Sequence, residues 1–369
     1  MKIVCISAAQ IPSDTANSIQ VMKVCQAFAQ VGCSVTLLVP GNQRPAISDQ
    51  ELMRHYGLEK LFSIEWLPGR SRRVFPWKAA LRARRLHADL LYAWPIQSAA
   101  LGLLAGLPSM LEMHDQASGR FGPLWLRLFL LLPGRKRLLP ITHALSRALQ
   151  LPGKATVVAP DGVDIERYQN LPDTRSIRRK LDLPEAPLVL CTGHLYAGRG
   201  ADLFLYLASK FPQAHFIWVG GRPQDVATWR ERAAGLANTT FTGFVPNEMI
   251  PLYQSAADIL LMPYEKTVTT SSGGNTAEIC SPMKMFEYMA AGRAILTSDL
   301  PVLHEVLDES MAVFCPLEDA GGWESALAGL LNDPQRRQIL GQCARTAAGQ
   351  YSWMRRARRI LDGFYEISA

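Results

Sequence analysis

A lysine stands where the start of a helix would ordinarily favour an acid. In Ser281-Pro282-Met283-Lys284-Met285-Phe286-Glu287-Tyr288-Met289-Ala290-Ala291-Gly292, serine is a preferred N-cap, proline a preferred first residue and glycine a preferred stop. The spacing therefore predicts a helix that begins at Pro282, with the backbone amides of Met283 and Lys284 at its positive end. A cation in that turn opposes the helix dipole, where Asp or Glu would help by ~0.3–1 kcal/mol. A bound anion reverses the sign, because amides, dipole and ammonium then all point at it. Glu287 follows one turn later on the same face, where a carboxylate can accept two hydroxyl protons from a ribose. By spacing alone, a solvated Lys–Glu pair on a surface helix accounts for these residues equally well.

Two further groups carry chemistry. Gly193-His194-Leu195-Tyr196-Ala197-Gly198-Arg199-Gly200 lies between a strand pattern and a helix pattern, where glycines let a backbone approach phosphate. The spacing is that of a P-loop, but Arg199 replaces the lysine and Gly200 the magnesium-binding hydroxyl, so a Walker A assignment fails on both. Arg199 can still clamp phosphate oxygens with its forked guanidinium; the other reading is that the glycines only make a turn. Glu112-Met113-His114-Asp115 ends a strand, where crevice residues of open α/β sheets stand. A histidine there is more often a satisfied hydrogen-bonding residue than a catalyst, and Asp115 can equally cap the turn.

Alternating strands and helices must position these groups. Strands are expected at 3–7, 34–40, 90–93, 109–113, 138–141 and 155–158, with a helix at 18–30 where Val21, Val24, Cys25 and Phe28 share a face. Residues 165–186 are polar, with two prolines and Arg178-Arg179-Lys180, and read as a linker. The alternation then restarts, with strands at 187–192, 214–220, 240–242, 258–262 and 294–297 and helices at 201–210, 225–235 and after Ser281. This predicts α/β architecture: two tandem Rossmann-like domains facing across a cleft, 1–164 and 187–345, joined by 165–186. Residues 346–369 form a C-terminal helix crossing back to the first domain.

A chain of 369 residues fits two such domains at roughly 100–200 residues each. No apolar stretch reaches the ~18 residues of a spanning helix, and Met1–Ser7 reads as a first strand, not a secretory signal. Seven cysteines without a CxxC pair fit buried, reduced thiols and a cytoplasmic protein, and argue against a disulfide framework or a zinc site. The net charge of +7 favours anionic partners. It is concentrated at Arg70, Arg72 and Arg73, at Arg82, Arg84 and Arg85, at Arg135, Lys136 and Arg137, and at 355–359. Dispersed in this way, without interleaved aromatics on one face, these clusters do not suit a nucleic acid.

Taken in order, the motifs resemble the retaining nucleotide-sugar glycosyltransferases of family 4, which have the two-Rossmann GT-B architecture. The resemblance spans nearly the whole chain: Ala16-Asn17-Ser18-Ile19-Gln20, Met113-His114-Asp115, Pro160-Asp161-Gly162-Val163-Asp164, Gly193–Gly200, Phe241–Pro246, Leu261-Met262-Pro263-Tyr264 and Ser281–Gly292. It implies that Arg199 and Lys284, with the amides of Met283 and Lys284, hold the diphosphate. Glu287 would bind the ribose, the backbone of Val245 would meet the base, and His114 would contact the transferred sugar. Gly193, Gly220 and Ser281 would line the nucleotide-sugar site, and the Ala16–Ser18 loop, through Asn17 and Ser18, would close its floor. The chain departs from the family at Ile279, where a glutamate is usual and Glu278 is one residue off, and at His194, where a basic residue is usual.

The implied reaction moves a hexose-type sugar from a UDP- or GDP-sugar to an acceptor hydroxyl with retention of configuration. It uses no cofactor and, with no Asp-x-Asp present, no metal. The acceptor is a glycan, a glycolipid or a small molecule. Leu124–Pro133 followed by Arg135-Lys136-Arg137 is apolar and then basic, which fits peripheral contact with the inner face of a membrane; a helix buried on the sheet is the plainer reading. The alternative function is a non-catalytic nucleotide-sugar-binding subunit of a glycosyltransferase complex, which Ile279 would suit.

Overall fold

The computed structural model describes residues 1–68, 74–117, 119–268 and 275–364. The chain divides into two compact units, Met1–Asp161 with Trp353–Ala369, and Gly162–Ser352. The first contains β1 (Lys2–Ile6), α1 (Ala16–Gln30), β2 (Ser34–Pro40), α2 (Asp49–Tyr56), β3 (Ser63–Leu67) and α3 (Phe75–Arg85). These are followed by β4 (Leu90–Ala93), α4 (Ile96–Leu104), β5 (Ser109–Met113), α5 (Gly122–Leu131), β6 (Lys136–Pro140) and α6 (His143–Ala148). The second unit contains α7 (Thr174–Lys180), β7 (Leu188–Thr192), α8 (Ala201–Lys210), β8 (His215–Val219), α9 (Pro223–Arg232) and β9 (Thr239–Gly243). It continues with α10 (Ile250–Ala256), β10 (Ile259–Met262), α11 (Met283–Ala291), β11 (Ala294–Ser298), β12 (Ala312–Cys315), α12 (Ala320–Asn332) and α13 (Pro334–Ala348). The chain then returns to the first unit as α14 (Trp353–Leu361).

Each unit is an all-parallel six-stranded sheet. The orders are β3-β2-β1-β4-β5-β6 and β12-β11-β10-β7-β8-β9, the same doubly wound pattern twice, with order reversing between β1 and β4 and between β7 and β10. The central strands are buried on both faces, which explains why they read as continuous apolar runs without alternation. In the second unit Phe204 packs edge-on against Phe216, Trp218 and Phe241 between α8 and the sheet.

Several boundaries differ from the sequence expectation. The first helix starts at Ala16, because Thr15 caps it by accepting from the Ser18 amide; Ala16–Ser18 is its first turn and not a loop. Residues 155–158 form no strand: Gly153–Ala155 is a 3-10 turn, and the segment touches β6 at a single bridge, Leu138 to Thr156. The edge strands β3 and β12, short and half-buried, carry too little apolar signal to be read. Residues 165–186 lie within the second unit. There α7 packs on α10, and Arg178 donates to the Ala256 carbonyl and pairs with Asp258 at 2.7 Å. The cluster at Arg70, Arg72 and Arg73 lies outside the described residues. None of the seven cysteines is in a disulfide.

The basic run 355–359 has two sides. Arg355, Arg358 and Arg359 face solvent, while Trp353, Arg356, Ala357 and Ile360 form the buried stripe that packs on α1. Arg137 of β6 closes the far end of α14 by donating to the carbonyls of Ile360 (2.7 Å) and Asp362 (2.8 Å), a cation at a helix C-terminus. Ile360 is fully buried. Ile360→Ala should therefore destabilise the first unit by about 2–5 kcal/mol, read as a shift in its urea midpoint at unchanged m-value.

Candidate active site

In the second unit the expected residues gather at the carboxyl ends of β7, β8 and β10, beside the point where strand order reverses. β7 runs directly into Gly193, whose φ of 120° only glycine adopts readily. A Cβ there would lie 3.4 Å from the Lys284 ammonium, and a Cβ on Gly220 would lie 2.7 Å from the Gly193 carbonyl. The two glycines thus let the ends of β7 and β8 close up beneath Lys284. Gly198 and Gly200 do something different. Both have positive φ, and a Cβ on either would overlap the carbonyl oxygen of Thr267 or Pro263. They press the turn onto the segment after β10, and Glu265 N–H donates to the Gly198 carbonyl at 3.0 Å. Arg199 is fixed between them.

The segment after β10 supplies the ring that organises the cluster. Tyr264 is buried; its hydroxyl accepts from Arg199 Nη1 at 3.0 Å, and the guanidinium carbon lies 5.1 Å from the ring centroid. Lys284 Nζ lies 5.3 Å from the same centroid. Among the described residues neither cation forms an ion pair with a carboxylate. Among the described residues, two positive charges are therefore held beside one aromatic ring with no carboxylate to balance them.

The helix carrying Lys284 begins one residue later than expected. Pro282, at φ −70° and ψ 120°, is extended and is itself the N-cap, so α11 opens at Met283 without a side-chain cap. Ser281 precedes the cap and is buried. Met285 N–H donates back to the Pro282 carbonyl at 2.9 Å, while among the described residues the amides of Met283 and Lys284 have no acceptor. Gly292 closes the helix in the left-handed conformation, as its sequence position predicts.

Glu287, one turn along, is half-buried and already oriented. Gln254 Nε2 donates to its Oε2 at 3.1 Å, and Tyr168 OH donates to Gln254 Oε1 at 2.6 Å, with Gln254 fully buried between them. Among the described residues Glu287 Oε1 has no donor. Val245 is half-buried next to Phe244, which is 45% exposed. Glu278 is exposed and Ile279 buried, so the carboxylate at 278 does not occupy the position of its neighbour. His194 stacks on Tyr196, and Arg222, at the start of α9, lies over the other ring at 5.3 Å. Sequence reasoning missed Tyr264, Gln254 and Arg222 as site residues. Only Tyr264 had a signal, its place just past a strand's carboxyl end.

In the first unit His114 heads a different cluster. Asn17 is exposed in the first turn of α1, and Ser18 is buried with its hydroxyl donating to the Ser13 and Thr15 carbonyls, so Ser18 fastens the turn. Behind His114 lies Glu112, a fully buried carboxylate. His114 Nε2 donates to its Oε1 at 2.7 Å, Arg356 Nη2 reaches the same oxygen at 3.0 Å, and Gln20 Nε2 also donates there; Tyr92 OH donates to Oε2. Gln20 in turn reaches Asp161 at 3.3 Å and is held by Trp94. Glu112, His114 and Asp161 offer three metal-ligand atoms within 4.8 Å of one another. A cation there would meet the Arg356 guanidinium and compete with four donors for Glu112.

Burial opposes charge on Glu112, but the Arg356 charge and the His114 hydrogen bond and charge outweigh it and hold the carboxyl below its ordinary range. Burial likewise opposes the His114 imidazolium, and the hydrogen bond and charge of Glu112, with the charge of Asp161, raise it above its ordinary value all the same. Asp161 is pushed up to about 6, chiefly by burial, against the pull of His114 and Arg356. A raised carboxyl makes the native state hold an extra proton, so its contribution to stability is full at low pH and lost as pH climbs through the window from about 4 to 6. Asp161→Asn, neutral at every pH, should match the parent near pH 3.5 and gain on it across that window. The gain should level off above pH 6 at on the order of 1–3 kcal/mol in denaturant melts.

Residues 186–333 match the family model described as Glycosyl transferases group 1. A phosphatidyl-myo-inositol mannosyltransferase of Mycolicibacterium smegmatis is 28% identical over 223 residues, 58% of this chain and 53% of its own. A D-inositol 3-phosphate glycosyltransferase of Salinispora tropica is 27% identical over 240 residues, 59% and 47% of the two chains. The chain thus spans about half the length of the curated relatives it matches. The solved structure of Anabaena HepE in complex with UDP superposes with a TM-score of 0.76 over 100% of both chains at 16% identity. The second unit is thus similar to the group 1 glycosyl transferases, and the two doubly wound sheets are those of the GT-B fold.

Proposed function

We propose that this protein is a retaining hexosyltransferase, which moves a sugar from a UDP- or GDP-sugar to an acceptor hydroxyl without a metal or other cofactor. The observation that carries the reading is the pair of cations, Arg199 and Lys284, set against Tyr264 at the open start of α11 with no carboxylate partner among the described residues. A departing nucleoside diphosphate supplies the missing negative charge. Fixed cations and amides stabilise that charge as the glycosidic bond breaks, the electrostatic role that a metal has elsewhere. Gln254 holds Glu287 by one oxygen and leaves the other for the ribose hydroxyls. Val245 and its neighbours take the base, and His114 meets the transferred sugar. That HepE was solved with UDP, and with UDP and glucose, supports a uridine nucleotide as the first donor to test.

Lys284→Ala should lower turnover by ~10²-fold or more if the ammonium acts on the transition state, and near-normal transfer by that variant would sink the assignment. A thermal-shift screen of UDP- and GDP-sugars comes first, because a ligand that binds only the folded chain raises its melting temperature by mass action. The second reading, a non-catalytic binding subunit, has Ile279 in its favour. It requires a donor shift without hydrolysis or transfer.

The acceptor side points to a lipid surface. α3, α4 and α5 pack side by side, and their outer faces carry Trp77, Leu81, Leu104, Phe121, Leu124 and Leu131, each at least half exposed. Lys78, Arg84, Arg85 and Arg127 are exposed among them, and the three helices contain no Asp or Glu. Apolar side chains with basic neighbours on one face suit a bilayer containing anionic lipid. The chain should co-sediment with phosphatidylglycerol vesicles at low salt and less so with zwitterionic ones, and Leu124→Ser with Leu131→Ser should weaken binding. No sedimentation at low salt removes the membrane from the proposal. Among the described residues no helix is long and apolar enough to cross a membrane.

A further inference from the structure

Glu112 and Arg356 are expensive residues in their positions. Both side chains are almost fully buried, at 0% and 4% exposure, and a buried ion pair is often no more stable than an apolar pair of the same size. Arg356 already has two backbone acceptors, the Pro160 carbonyl at 2.8 Å and the Ala159 carbonyl at 3.1 Å. Attachment of α14 therefore does not require Glu112. What Glu112 adds is a contact with His114, which, among the described residues that touch Glu112, is the one that reaches solvent. The His114 side chain is 31% exposed and gives its inner nitrogen, Nε2, to Glu112 Oε1 at 2.7 Å; among the described residues its outer nitrogen, Nδ1, has no partner.

We propose that Glu112 and Arg356 are positioning residues for His114, an ion pair that fixes which imidazole nitrogen meets the sugar. The inference rests on the reading of His114 as the sugar contact. An ionised carboxylate can only accept, so Nε2 must carry the proton it shares with Glu112. The neutral ring is thereby held as the Nε2–H tautomer with the Nδ1 lone pair outward; after protonation Nδ1–H points outward as a donor. Either way Nδ1 is the atom presented. Arg356 keeps Glu112 ionised in a place where burial alone would favour the neutral acid. Tyr92 and Gln20 hold the carboxylate's remaining acceptor positions, so that it cannot turn away from the ring. Among the described residues, the charged and titratable groups around His114 are thus Glu112 on β5, Asp161 after β6, Arg356 on α14 and Tyr92 on β4. Asp115, next in the chain, is turned to the Gln116 amide.

The decisive measurement is NMR titration of His114 together with steady-state kinetics, in the full-length chain and in two variants. Glu112→Gln keeps the shape but removes the obligate acceptor, and it leaves Arg356 buried without its partner. Glu112→Gln with Arg356→Met removes both charges and guards against loss of the fold. In each folded variant the His114 midpoint should fall by about one pH unit or more. The kcat for transfer should drop about tenfold or more, with a much smaller change in the donor KM, and any limb of the pH–rate profile that follows His114 should move to lower pH. An unchanged His114 titration in a folded double variant overturns the inference, even if activity falls, because the pair would then be structural only. Normal transfer by His114→Ala overturns the reading beneath it, and that result is distinct from the first.

Discussion

Much of this structure answers to one electrostatic imbalance. Arg199 and Lys284 carry like charges, yet each lies within 5.3 Å of the centroid of the Tyr264 ring. Coulomb repulsion between such groups is a standing cost, and the negative face of one aromatic ring offsets only about a kcal/mol or two of it. The dipole of α11 adds to the same sign, since its opening amides face the ammonium's end of the helix. The neighbouring features read as ways of holding this imbalance in place. Gly198 and Gly200 pin the Arg199 turn by pressing it onto the backbone at 263–267, and Gly193 makes room for Lys284. In the function proposed above, a diphosphate would supply the negative charge that these two cations lack.

The first unit solves the opposite problem. Its cluster is balanced: the carboxylate of Glu112 faces Arg356 and His114, with neutral donors filling its other positions. The pieces come from β4, β5, α1, the segment after β6 and the returning helix α14, so the cluster assembles only when the C-terminus has docked. That gives α14 two tasks. Its apolar stripe closes the core over α1, and one arginine among four in a basic run turns inward to complete a charged network.

Both sheets have the same strand order, and in both the candidate site residues stand at or beyond the carboxyl ends of the strands. The parallel arrangement explains this economy: every strand's carboxyl end opens on one side of the sheet, where the start of a following helix can present its amides. In the second unit the candidate residues stand at a helix start, and in the first at the strand end that carries His114. The outer helices of the first unit depart from the ordinary doubly wound pattern, since α5 carries leucines on the side facing solvent as well as the side facing the sheet.

A good deal of this is legible in the sequence, for local reasons. Strands such as 34–40, 90–93 and 109–113 and the helix at 201–210 match their expected bounds, because a buried parallel strand or a one-sided helix writes its period into consecutive residues. Lys284 stood out as the wrong charge for a helix start, a contradiction visible without coordinates. Local rules failed where a choice between neighbours depended on packing: Pro282 and not Ser281 caps α11, and Thr15 and not the residues after it opens α1. Only the tertiary structure decided the partners. Nothing in the chain's order joins Tyr264 to Arg199 and Lys284, Gln254 to Glu287, or Arg356 to Glu112. Those contacts link residues tens to hundreds of positions apart, and their identity is fixed by how sheet, helix and returning C-terminus meet in space, which no local pattern encodes.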